Sequence, residues 1–276
     1  MQIRRIHALY FSPTQTTRTL VTRIAGTIAN IGQGLPLDIR DFTLPLDRQE
    51  APQIAGGELA IVGLPVYAGR LPNLLLPYLK SWKSDGALAV PVVMYGNRSY
   101  GNALTELRDI LENAGFHSIA AAAFVGRHSF SDKLATGRPN QTDLHVAEQF
   151  AEKIVRRIAC ADGKNFALIE IPGQTAPDYG GYYRPLGVGG EPVNFLKAKP
   201  VTTQVCTACG QCLTVCPMGA IDAGNPAVVS GICIKCNACI RHCPAEAKQF
   251  TDEAYLSHVH FLENTYSLSK AAIELF

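Results

Sequence analysis

At 276 residues the chain amounts to about 1.8 units of roughly 150 residues, room for one large domain or two modest ones. Hydrophobic residues at 47% against 17% charged exclude intrinsic disorder. Lys and Arg number 25 against 23 Asp and Glu, a formal charge of +2 with no basic run longer than two residues, so no nucleic-acid or membrane-surface footprint is visible.

No apolar stretch approaches the about 18 residues that cross a bilayer. After Arg4 and Arg5 the run Ile6 to Phe11 is too short for a signal peptide. A soluble, cytoplasmic chain with no membrane span is expected.

Residues 3–11 form an apolar run that ends in Ser12-Pro13-Thr14-Gln15-Thr16-Thr17. Leu20, Val21, Ile24, Ala25 and Ile28 then recur at helical spacing. This predicts strand, hydroxyl-rich loop, helix. The alternation repeats with strands at 35–39, 59–64, 88–95 and 118–125 and helices at 71–82 and 102–113. Thr142-Asp143 caps a further helix with Leu144, Ala147, Phe150, Ile154, Val155 and Ile158 on one face. Five strands with crossover helices predict an α/β, doubly wound parallel sheet over residues 1–163.

Residues 164–200 break this pattern with six Gly and five Pro. Phe166, Tyr179, Tyr182, Tyr183 and Phe195 make the stretch stickier than a free linker, so it is expected to lie against both neighbouring domains. Residues 251–276 read as a helical tail docked on a domain.

Eight of the nine cysteines fall between Cys206 and Cys243. Cys206-Thr-Ala-Cys209-Gly-Gln-Cys212-Leu-Thr-Val-Cys216-Pro217 recurs 27 residues later as Cys233-Ile-Lys-Cys236-Asn-Ala-Cys239-Ile-Arg-His-Cys243-Pro244. Such clustering, with no sign of export, favours metal ligation over disulfides. Four-cysteine zinc sites also use C-x2-C pairs, but the third Cys, the x3-C-P ending and the repetition point elsewhere. Lys235, Arg241 and Lys248 stand against Asp222 and Glu246 in this stretch, so an acidic docking face is not expected. Cys160, alone near a helix end, reads as a small core residue.

The spacing resembles that of the bacterial two-cluster ferredoxins, in which the fourth Cys of each run ligates the other run's cluster. The resemblance covers about 50 residues, 201–250. It implies one 4Fe-4S cluster on Cys206, Cys209, Cys212 and Cys243, and a second on Cys233, Cys236, Cys239 and Cys216.

The Ser12–Thr17 loop offers hydroxyls and free N–H groups at a helix N-terminus, a place for a phosphate, although hydroxyl residues also cap helices that hold no ligand. Two further loops follow strands: Gly63-Leu-Pro65-Val66-Tyr67-Ala68-Gly69-Arg70 and Tyr95-Gly96-Asn97-Arg98-Ser-Tyr100-Gly101. In a doubly wound sheet all three meet at the carboxyl edge, where ligands bind.

In order and loop placement, residues 1–160 resemble the flavodoxin family. That resemblance implies FMN, with Ser12, Thr14, Thr16 and Thr17 around the phosphate. The ring would lie between Pro65, Val66, Tyr67, Ala68 and Gly69 on one side and Tyr95, Gly96, Asn97, Arg98, Tyr100 and Gly101 on the other. Gln15 departs from the usual Gly, which tolerates positive φ more readily. A nicotinamide fingerprint is absent: Gly32-Gln-Gly34 lacks its third Gly, and Gly187-Val-Gly189 follows no strand. The seven histidines show no ligand spacing, and no nucleophile pair stands out.

The two parts in this order resemble the flavodoxin–ferredoxin fusion proteins of anaerobes. That implies electron transfer between clusters that pass one electron and a flavin that holds two, with a redox partner protein or a small-molecule acceptor outside. Two alternatives stay open: a flavin-dependent reductase of a small organic substrate or quinone, and a docking module with structural metal. Arg70 and Arg98 are candidates to stabilise a reduced flavin. The sequence does not fix donor, acceptor or oligomeric state.

Overall fold

The computed structural model describes residues 3–161, 166–268 and 271–276. Its first part runs β1 (Arg5–Tyr10), α1 (Thr16–Ile31), β2 (Leu37–Asp41), β3 (Gln53–Ile54), β4 (Glu58–Pro65), α2 (Leu76–Lys80), β5 (Lys83–Ser84), β6 (Leu88–Tyr95), α3 (Ala103–Asn113), β7 (His117–Ser118), β8 (Ala122–Val125) and α4 (Gln141–Cys160). The second part holds β9 (Val201–Thr202), α5 (Gln211–Thr214), α6 (Ala238–Arg241), β10 (Lys248–Gln249), α7 (Glu253–Tyr266) and β11 (Glu274–Leu275). No helix among the described residues is long and apolar enough to cross a membrane.

The long strands pair in the order β2-β1-β4-β6-β8, all parallel. This is the doubly wound order of flavodoxin-like sheets. All eight residues of β6 are buried, and in β4 all but the two end residues are, as strands covered on both faces must be. On one face α1 and α4 bury Leu20, Ile24, Ile28, Phe150 and Ile154 against the sheet. On the other, Phe42, Trp82, Leu104 and Leu107 do so. A Cβ on Gly63 would run into Val21 and Thr17, so the start of α1 lies close on β4 because that residue is Gly.

Several expected elements differ. The helix over 71–82 is a 3-10 turn (Asn73–Leu75) and a five-residue helix, since Pro72 and Pro77 interrupt regular hydrogen bonding. The strand over 118–125 is split into β7 and β8. The cap of α4 is Asn140, whose side chain accepts from the Asp143 N–H in a full capping box, one turn before the expected start. Cys160 is exposed, not part of the core. The expected helical tail is helical only over α7. Its end becomes β11, antiparallel to β8, so the five parallel strands carry a sixth on their edge. Phe276 and Ala121 exchange both backbone hydrogen bonds, at 2.8 and 3.0 Å. The tail thus covers a strand edge that is otherwise open to foreign pairing.

The Gly/Pro-rich segment is tied down as its tyrosines predict. Arg70 makes a two-pronged bond to Glu106 (2.6 and 2.9 Å) and lies over the rings of Tyr179 (4.8 Å) and Tyr182 (5.1 Å). The phenol of Tyr179 reaches Asp109 at 3.0 Å, and that of Tyr182 donates to the carbonyl of Leu71 at 2.8 Å. Phe195 stacks on His258 of α7 at 5.4 Å. Removing one partner of a buried ion pair strands the other charge. Glu106→Ala is therefore expected to cost about 3–5 kcal/mol in urea denaturation and to make the segment around Tyr179 and Tyr182 more susceptible to limited proteolysis.

Candidate functional site

The two cysteine runs adopt one backbone conformation twice. Ala208 and Lys235 take φ of 54° and 56°, Gly210 and Asn237 take 75° and 60°, and Gly219 and Glu246 take 57° and 50°. Each pair is 27 residues apart. The left-handed residues curl each C-x2-C-x2-C loop, and α5 and α6 begin just after Gly210 and Asn237. Cys216 Sγ accepts the Ala220 N–H and Cys243 Sγ the Ala247 N–H, both at 3.3 Å. Hydrogen bonds of this kind to sulfur stabilise thiolates and tune clusters.

Cys216, Cys233, Cys236 and Cys239 line one cavity, walled by Pro217, Ile221, Ile232, Ile234 and Phe250. Cys216 belongs to the first run and the other three to the second, the crossed set that the ferredoxin resemblance implies. Burial drives the Cys236 thiol far up, and with Cys233 nearby it pushes Cys239 up to about 12. Burial raises the Cys212 thiol, and Cys206 and Cys243 push the same way. Thiols disfavoured as anions by burial are suited to a ligand whose positive iron supplies the missing charge. Among the described residues no three His, Cys, Asp or Glu side chains converge as one ion requires.

The two cysteine loops differ in exposure. Gln204, Val205, Thr207, Ala208 and Cys209 are exposed, whereas Cys236, Asn237 and Ala238 are buried. The second loop is covered because it docks on the parallel sheet's carboxyl edge. Ile234 packs against the larger domain's core. Asn237 donates to the carbonyl of Ser129 at 2.8 Å and Arg48 to that of Pro217 at 2.6 Å, while Arg241 pairs with Asp132. Tyr67 lies at this junction: burial raises its phenol well above the ordinary range, and Cys236 and Cys233 push the same way.

At the phosphate end of the edge, Gln15 holds φ 67°, the conformation that glycine would ease. Ser12 Oγ accepts the Arg18 N–H at 3.0 Å, so it caps α1, and Ser12 N–H donates to Thr43 Oγ1 at 2.8 Å. Thr17 is buried against β4, while Thr14 and Thr16 are half-exposed at the helix mouth. Their N–H groups and the dipole of this 16-residue helix fit an anion.

The ring end is bordered by the tail and the connecting segment. Tyr95 OH donates to the carbonyl of Ala272 at 2.5 Å and Tyr100 OH to Glu274 at 2.6 Å. Asn97 donates to the carbonyl of Tyr266 at 2.8 Å and accepts from Ala271 N–H at 3.3 Å. Arg98 sits 3.9 Å over the ring of Tyr183, whose N–H donates to Ala68 O at 2.8 Å. Arg70 is bound to Glu106 rather than free. Pro65 ends β4, Val66 N–H donates to Met94 O, and Gly101 lies against Gly69, where a Cβ would strike backbone. Gly96 carries the half-buried His128 on its face, a residue without any spacing signal; desolvation of its ring, with His258 and two arginines nearby, lowers its pKa to about 4.

Fold and site together define a flavodoxin-like domain followed by a ferredoxin-like module. The family described as 4Fe-4S dicluster domain matches residues 199–244. A flavodoxin from the domain Archaea is similar at 14% identity over 56% of this chain and 99% of that one, with a TM-score of 0.40. The flavodoxin of Streptococcus pneumoniae TIGR4 shows 18% identity over 55% and 99%, TM-score 0.39. The rubredoxin:oxygen oxidoreductase of Desulfovibrio gigas shows 14% over 57% of this chain and 37% of its own, TM-score 0.42. No curated protein matches the chain.

Crossed ligation makes a sharp expectation for iron content. A double variant Cys216→Ser/Cys236→Ser strikes one cluster only and retains about four irons per chain, whereas Cys209→Ser/Cys216→Ser strikes both and retains almost none. Ligation within each run predicts the opposite retention for the second pair.

Proposed function

We propose that the chain is an electron-transfer flavo-iron–sulfur protein. Electrons pass between an outside one-electron carrier and the outer set Cys206, Cys209, Cys212 and Cys243, then to the inner set Cys216, Cys233, Cys236 and Cys239, then to FMN at the sheet's carboxyl edge. Units 1–163, 164–200, 201–250 and 251–276 act in this reading as flavin domain, strap, cluster module and tail. The observation that supports it is the docking of the second cysteine loop on the larger domain, with Ile234 packed against that domain's core and Asn237 bonded to the Ser129 carbonyl just beyond β8.

Ser12, Thr14, Gln15, Thr16 and Thr17 would hold the phosphate, with Arg18 adding charge. Tyr67, with Pro65, Val66, Ala68 and Gly69, would enclose the ring together with the loop of Tyr95, Gly96, Asn97, Arg98, Tyr100 and Gly101. When bound, the flavin supplies a store of one or two electrons beside carriers of one. The side chains of this chain exclude water from the edge and fix the loops: Arg98 is held by Tyr183, and Tyr95 and Tyr100 by the tail. That same covering disfavours a reductase with an open ring face.

It also favours a second reading, in which the N-terminal domain carries no flavin and serves as a scaffold that shields the inner cluster. An anaerobic reductive titration followed optically separates the two. The relay predicts about four electrons per chain, with flavin bands bleaching beside the broad iron–sulfur absorption. About two, without flavin bands, would establish the scaffold reading instead.

A further inference from the structure

One face of the cysteine module is apolar at its centre and positive at its rim. Ile232 is 65% exposed and Leu196 80%, and Val228 is exposed as well. Lysines tie these stretches together. The Lys199 ammonium donates to the carbonyls of Val229 at 2.7 Å and Ser230 at 3.3 Å, and that of Lys235 to the carbonyls of Leu196 and Cys233. Lys197, next to Leu196 in the chain, is exposed. Among the described residues no carboxylate pairs with any of the three lysines. Asp222 and Asp252, on adjoining turns, are taken up by the backbone N–H groups of Gly224, Asn225 and Tyr255. Buried Lys248, bonded to Thr202, and Arg241, paired with Asp132, take no part in the face. The face opens on the inner set: Pro200, Val229 and Ile232 line the same cavity as Cys216, Cys233, Cys236 and Cys239.

We propose that this face docks a small acidic one-electron carrier protein, which exchanges electrons directly with the inner cluster. The proposal rests on the cluster reading. An apolar centre holds a partner once water is expelled, and a rim of ammonium groups without counter-ions selects a carrier of opposite sign and speeds its arrival. In each transfer the carrier is oxidised by one electron and the inner cluster reduced by one, and no bond in either protein forms or breaks. The loop around Cys209 offers no such selection, since Gln204, Val205, Thr207 and Ala208 are uncharged. The chain thus has a second port, and an electron that enters by it reaches the larger domain without crossing the outer set.

The test mixes the oxidised, iron-loaded full chain anaerobically with a reduced acidic 2Fe-2S ferredoxin, a probe chosen with a potential below that of the clusters. Decay of the probe's own paramagnetic signal in rapidly frozen samples gives the rate. The rate is expected to fall roughly tenfold or more from low to high salt. Lys197→Glu/Lys199→Glu should lower the low-salt rate by a similar factor, and Ile232→Ser should lower it several-fold at every salt concentration. Lys153→Glu, exposed on α4, should stay within about twofold. Where the reversed pair loads less iron, Lys197→Gln/Lys199→Gln takes its place. A rate that ignores both salt and the lysine changes overturns the proposal. So does a rate lowered by Thr207→Glu and untouched by the lysine changes, which puts the carrier at the outer loop. A chain that dimerises in solution and is made monomeric by Ile232→Ser gives the face to a second copy and overturns it too. An unaltered protein with far fewer than about eight irons per chain overturns the cluster reading itself, before any rate is measured.

Discussion

A module of about 50 residues that spends eight of them on cysteine has too little apolar surface to hold itself together. The four-residue helices α5 and α6 and a two-strand ribbon are its only regular structure among the described residues. The shared core it uses is built from other parts of the chain. Phe130 from the larger domain and Phe195 from the connecting segment meet Tyr255 of α7 at 4.9 and 5.5 Å, and Phe250 stacks on Tyr255 at 4.1 Å. Ile234, one residue after Cys233, enters the main core. Asn237 donates to both the phenol of Tyr255 and the carbonyl of Ser129, fixing the loop that carries Cys236 and Cys239. Folding of the cysteine module is thus coupled to its position on the sheet's edge.

That dependence gives the module a direction. Because the second loop lies against the larger domain, Cys236 is buried with Asn237 and Ala238, while Cys209 and its neighbours in the first loop stay exposed. Solvent exposure and nearby charge are the levers that separate cluster potentials. The same docking covers Tyr67 and leaves α7 and the tail lying across the neighbouring loop. The strap of Tyr179, Tyr182 and Tyr183, clamped by Arg70 and Arg98, closes the remaining side. Each covering segment is therefore part of the carboxyl edge as well as a link between the two units.

Much of this was legible in the sequence where a local pattern decides the outcome. Buried strands appear as apolar runs, as in residues 88–95, which match β6 residue for residue. The repeat with its x3-C-P endings announces its loops because backbone and ligand spacing are local. Gln15, where Gly would be easier, takes the left-handed conformation itself, and its side-chain oxygen accepts from Arg18 at 3.1 Å. What stayed hidden depends on distant partners. Ala271 to Phe276 carry a helix-compatible composition, yet β11 exists because the exposed edge of β8 offers hydrogen bonds. Arg70 and Arg98 look free in their loops until the tyrosines over a hundred and more than eighty residues away arrive. His128 and Lys248 have no spacing signal, since only their surroundings in the fold make them notable.

The central claim is spatial: an inner cluster, ligated across the two runs, sits against the Tyr67 loop. Anomalous diffraction at the iron edge from crystals of the anaerobically purified protein tests it most directly. The account predicts two iron centres, the inner one within Cys216, Cys233, Cys236 and Cys239 and next to Tyr67, the outer one within Cys206, Cys209, Cys212 and Cys243. Single-ion peaks, or an inner centre ligated by Cys243 and remote from Tyr67, would contradict it.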